Sequence, residues 1–265
     1  MKSSRNYLLL LLLILVSGYG YIAGCTHKDA LLPPPASTGP VISRGDNVHL
    51  PGNQTAGNPA EWKFDKAHSS VLWSTNYVGA AGLLTGRFNQ FGLHNVTDAE
   101  MQNYTTAGQP LPDTSWAFYE NDPAKIRLNG YVQINTSNTG EPARDAGCNI
   151  SGMGTVAIVT GTQNLTTTNL AKIQSTNIKF DELSNDYIVT LNLTWQGKLA
   201  TPLTKSIVGR LRYVPRKTVQ FGTAAAYDVF GLQLTFQFNC RDFGITSTSI
   251  SDNITIECNA NFNNK

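Results

Sequence analysis

The sequence predicts an all-β fold of antiparallel strands, and three observations carry that expectation. Apolar residues recur at every second position from Glu61 onward. No segment sustains an apolar stripe at the helical period of 3.6 residues. Charged residues make up only 14% of the 265, well below the roughly 25% of an ordinary globular chain. Asn, Thr and Ser crowd the sequence instead, and they suit turns and strands better than helix interiors. A hydrophobic content of 41% supplies a core and excludes global disorder.

The first element, residues 1–24, reads as an export signal. Lys2 and Arg5 form a basic start, Tyr7 to Val16 are almost pure Leu/Ile, and small or interfacial residues follow. The apolar run lasts about ten residues, whereas spanning a bilayer takes about 20. Ile22-Ala23-Gly24-Cys25 resembles the bacterial lipobox, which implies thioether lipidation of Cys25 and cleavage just before it. Several acyl chains on one cysteine hold a protein to a membrane where a single chain would not. Thr26-His27-Lys28-Asp29 places no Asp beside that cysteine; by resemblance to known sorting rules this points to the outer membrane, on either its periplasmic or its surface face.

Residues 25–60 carry the lipidated cysteine and a linker without periodicity that includes Pro33-Pro34-Pro35. The expectation is a disordered N-terminal tether reaching roughly 30–35 Å on average. Removing Lys2 and Arg5 with the signal leaves 18 basic and 18 acidic residues. A neutral chain without a Lys/Arg cluster lacks the basic face that nucleic-acid binding requires, so no nucleic-acid partner is expected.

Residues 61–265 form the domain. Eight strands are expected in it. Those near 70–77, 84–91 and 171–180 are the less regular. In the others, Ile126, Leu128, Gly130, Val132 and Ile134 alternate with Arg127, Asn129, Tyr131 and Gln133. Tyr187, Val189, Leu191, Leu193 and Trp195 form a second such row, and Ile207, Gly209, Leu211 and Tyr213 a third. Leu232, Leu234, Phe236 and Phe238 follow, then Ile254, Ile256, Cys258, Ala260 and Phe262. Strict alternation gives each strand one dry and one wet face, hence antiparallel pairing. A closed barrel and a sandwich both satisfy it. Gly130 and Gly209 among inward aromatics leave room, which favours a barrel with a lumen.

Six stretches, in order, resemble the YceI-like family. Trp62-Lys63-Phe64-Asp65-Lys66-Ala67-His68-Ser69-Ser70-Val71-Leu72-Trp73 is similar to its opening signature, and Gly86-Arg87-Phe88 with Phe91 to its next strand. Thr136-Ser137-Asn138-Thr139-Gly140 with Arg144-Asp145, Lys172-Ile173-Gln174-Ser175-Thr176, Leu193-Thr194-Trp195-Gln196-Gly197 and Arg241-Asp242-Phe243-Gly244 complete the series. The resemblance implies an eight-stranded lipocalin-like barrel that holds a polyisoprenoid, such as an isoprenoid-quinone tail, in an apolar lumen. Departures fall at Asn76, where the family often carries His, and at Ala146-Gly147-Cys148-Asn149, where it continues His-Leu. The stretches 93–125 and 149–170 are long for the family. These changes bear on the ligand's head group more than on the fold.

The expected lumen lining is Trp73, Phe88, Phe91, Leu128, Val132, Leu191, Leu211, Phe236, Phe238 and Ile256, with Arg144 at the rim to meet a polar head group or, equally, to staple its loop. No metal site or cofactor is expected. His27 and His49 belong to the linker, His68 and His94 show no zinc spacing, and no CxxC occurs. His68 and Ser69 are strand neighbours that point apart, and no G-x-S-x-G elbow is present; Asp65, His68 and Ser69 read as a turn tied to its own backbone. Cys240 and Cys258 continue the inward rows of the last two strands, so a disulfide between them is expected, with pairing of Cys148 to either as its rival. The expected function is therefore non-enzymatic lipid binding at the cell envelope. Two alternatives are an enzyme using Arg144, Asp145 and His68 on a hydrophobic substrate, and an interaction module displaying the long insertions.

Overall fold

The computed structural model describes residues 63–78, 81–93, 116–118, 123–147 and 166–265. The signal, Cys25, the linker, His94, Cys148 and most of both insertions lie outside the described residues. The first strands are β1 (Lys63–Phe64), β2 (Ser70–Tyr77), β3 (Gly82–Phe88), β4 (Phe91–Gly92), β5 (Trp116–Ala117), β6 (Arg127–Gln133) and β7 (Ser137–Asn138). After the short helix α1 (Pro142–Gly147) come β8 (Leu170–Asp181), β9 (Asp186–Trp195), β10 (Leu203–Val219), β11 (Tyr227–Asn239) and β12 (Asn253–Asn263).

Eight of these strands are long, at the positions the alternation predicts, and four have only two residues. All pairings are antiparallel, and the sheet runs β4-β6-β8-β9-β10-β11-β12-β2-β3-β7. Its two ends meet. β3 continues through Asn89-Gln90 into β4, and β6 continues through a 3-10 turn into β7. Arg87 and Phe88 pair with Asn138 and Ser137, while Phe91 and Gly92 pair with Val132 and Tyr131. The buried Thr136 hydroxyl secures this break, accepting from the Asn89 and Gln90 amides at 3.1 and 3.0 Å and donating to Gln133 O at 2.8 Å. The result is an eight-stranded up-and-down barrel of the lipocalin-like kind, and closure removes the free edges that would invite aggregation.

Alternation holds along most strands. In β9 the even-spaced Tyr187, Val189, Leu191, Leu193 and Trp195 are all buried. It fails in β6, where Tyr131 and Gln133, expected on the wet face, are also buried. β4 pairs beside β6 with Gly92 opposite Tyr131, and the Tyr131 ring lies over that glycine, where a Cβ would sit 2.7 Å from it. Pro215, which has no N–H to give a ladder, falls where the β10–β11 register shifts between Val214 and Lys217.

Candidate functional site

The inward rows enclose an apolar cavity. Its atom-free space is about 950 Å³ including its opening, of which about 90 Å³ admits the centre of a water-sized sphere. It is therefore narrow. An eight-stranded barrel is just wide enough either to be filled by its own side chains or to hold one small ligand; here part of the interior is filled and part is hollow.

Of the expected lining, Phe88, Phe91, Leu128, Val132, Leu211, Phe236, Phe238 and Ile256 border the cavity. Trp73 and Leu191 do not, although both are buried. Trp73 is drawn to the barrel seam, where its indole N–H donates to Ser137 Oγ at 2.8 Å. Leu191 lies in the filled part. Arg144 is exposed on α1 and borders no part of the cavity, so it is not a rim residue in this structure. The alternation did not single out Phe64, Leu93 or Tyr131, which also line the cavity.

Among the described residues, no Asp, Glu, Lys, Arg or His borders the hollow. Burying a charge without a partner is costly, so this wall selects uncharged, apolar matter. Trp195 lines it while its indole N–H is satisfied outward by Thr168 O at 2.8 Å. Cys258 also lines it, and burial, with the neighbouring Glu257 carboxylate, pushes its thiol up to about 12. That thiol is neutral at ordinary pH and a poor nucleophile.

Cys240 and Cys258 are both free, which corrects the expected disulfide. The β11–β12 register pairs Asn239 with Asn253 and Leu234 with Cys258. The Cys240 amide donates to Asp252 O at 2.8 Å. Cys258 is thus six positions from the place opposite Cys240, roughly 20 Å along the strand, far beyond bridging distance.

His68 and Asp65 serve the turn before β2. Asp65 accepts from His68 N at 3.2 Å and contacts His68 Nδ1 at 2.8 Å, and Asn263 Nδ2 donates to it at 3.1 Å. Burial alone would raise the Asp65 pKa, but the bonds from His68 and Asn263 hold it below its ordinary value. Ser69 Oγ donates to Asp65 O and accepts from Asn261 N, fastening the turn to β12. Asp145 accepts from the Thr139 amide and hydroxyl at 2.9 and 2.8 Å. Arg144, Asp145 and His68 therefore do not converge on the cavity. Among the described residues, no group of three or more His, Cys, Asp or Glu could hold a metal ion, and no helix is long and apolar enough to cross a membrane.

The insertion after β4 contributes what sequence reasoning missed. Trp116 and Phe118 are 2% and 0% exposed and pack against Phe230, Phe262 and Tyr213. β5 is two residues long, too short for any periodic signal.

No curated protein matches this chain. Two solved variants of the CJ YCEI protein are similar, one described with a monobromobimane guest and one for nanotechnology applications. They share 16% and 18% identity, cover 69% of this chain and 85% of their own, and give TM-scores of 0.42 and 0.41. The YceI-like domain family model matches residues 62–262. That span takes in nearly the whole barrel and every strand that walls the cavity, and the chain belongs to the YceI-like family.

Proposed function

We propose that this protein is a lipid-anchored, non-enzymatic component of the bacterial envelope that binds or carries a polyisoprenoid, or a similar amphiphile such as an isoprenoid quinone, in its barrel. The observation that carries the reading is the narrow hollow itself, walled mainly by aliphatic and aromatic side chains and, among the described residues, by no charged group. Each Å² of tail taken from water is worth about 25 cal/mol, less the cost of ordering a flexible ligand. Family membership supports the same reading, and so does the export signal ending at Cys25.

The enzyme alternative finds no support in the geometry, since its three side chains lie apart. The interaction-module alternative needs exposed apolar insertions, whereas Trp116 and Phe118, the large apolar side chains described between 94 and 122, are buried.

Two experiments test the proposal. Ala171 borders the hollow, so Ala171→Phe should fill it and weaken prenyl-alcohol binding, read by native mass spectrometry, at least about tenfold. A wild-type protein that binds no isoprenoid, or a folded variant that binds as well, contradicts the reading. Cys25→Ala should move the protein from the membrane to the soluble envelope fraction; retention on the membrane would refute the anchor.

A further inference from the structure

The hollow takes in only part of each inward row. In β9, Leu193 borders the cavity and Leu191, next in the same inward row, does not. The same change occurs from Leu211 to Tyr213 in β10 and from Leu232 to Phe230 in β11. Beside the places where the β10, β11 and β12 rows leave the hollow lie two rings that belong to no long strand. Trp116 stands with its ring centroid 4.1 Å from that of Phe262, the last cavity-lining ring on β12. Phe118 stacks on Tyr213 at 4.7 Å, meets Tyr187 at 5.9 Å and lies 6.2 Å from Phe230. The inward rows of β10 and β11 run on past the hollow to Tyr213 and Phe230, and Trp116 and Phe118, carried between β4 and β6, pack against those two rings.

We propose that Trp116 and Phe118 set the length of tail the cavity accepts, by occupying the part of the barrel interior into which the hollow would otherwise continue. The inference rests on the lipid-binding reading above and adds a specificity determinant to it. A hydrocarbon chain gains by burial only along the length of available wall. Isoprene units beyond the stop must stay in water or force two close-packed rings to move. Binding should therefore strengthen with each added unit up to a limit and then level off, and the limit should move when the stop is cut back.

The test is titration of the full chain with a graded series of all-trans prenyl alcohols, followed by native mass spectrometry. The wild-type protein should show a plateau at a defined chain length. Phe118→Ala should shift that plateau to a longer chain by at least one isoprene unit, with affinity for short chains unchanged or weaker. Phe118→Leu, which keeps an aliphatic group in the core, should shift it in the same direction by less, and decides the matter if the alanine variant does not fold. A plateau at the wild-type length in a folded variant overturns the assignment while leaving lipid binding intact. So does faster release with an unchanged plateau, since that is the behaviour of a cover rather than a stop. If the wild-type protein binds no member of the series, the lipid-binding reading falls and the assignment with it.

Discussion

At the scale of single residues, Trp73 and Gly86 hold the seam of the barrel together. A Cβ on Gly86 would come within 2.6 Å of the Trp73 ring, so only glycine lets that indole lie against β3 and reach Ser137 on β7. Cys258 lines the cavity, and its surroundings shift its ionisation. Its thiol is raised from an ordinary 9.0 to about 12, chiefly by burial. The folded state holds this proton more tightly than the unfolded chain does, so its contribution to stability is complete below pH 9.0 and lost as the pH climbs toward 12. Urea denaturation at about pH 8 and about pH 10.5 should show wild type losing more stability than Cys258→Ala; equal losses would mean the thiol is not desolvated. Alternation placed Cys258 on the inward face, but could not place it relative to Cys240, because that depends on pairing register rather than on facing.

At the scale of elements, the β11–β12 connection illustrates the same point. Its length sets the register, and Arg241 sets its shape. One guanidinium donates to Ile245 O, Ser247 O and Ile250 O, each at 2.8 Å, and to Asp252 Oδ1 at 2.8 Å. Arg241→Ala strands three carbonyls, two of them on the buried residues Ile245 and Ile250. It should cost about 2–4 kcal/mol, with faster amide exchange confined to residues 240–252. A loss under 1 kcal/mol, about that of an exposed pair, would show the loop holds itself. The eight long strands were legible because period two is a direct imprint of a half-buried sheet. The two-residue strands were not, since closure of the barrel through β4 and β7 is fixed by hydrogen bonds around Thr136. Nor was the burial of Tyr131, whose ring lies over Gly92 of the neighbouring β4.

At the scale of the whole molecule, composition and patterning gave the class, and family motifs gave the kind of barrel. The buried rings of Trp116 and Phe118, beside the hollow, are carried by a stretch with no period to read. Eight of the ten apolar side chains named from sequence border the hollow; Trp73 and Leu191 missed because inward-facing and cavity-lining are different properties. The account depends on that hollow being dry and open to a hydrocarbon chain. The most direct test is a crystal structure of the protein purified from its own envelope lipids. Continuous electron density running between Leu128, Leu193, Leu211 and Phe236, uncharged and no wider than a prenyl chain, is the predicted result. A space closed up by the rotated rings of Phe88, Phe91 and Phe236, or filled with ordered water, would contradict it.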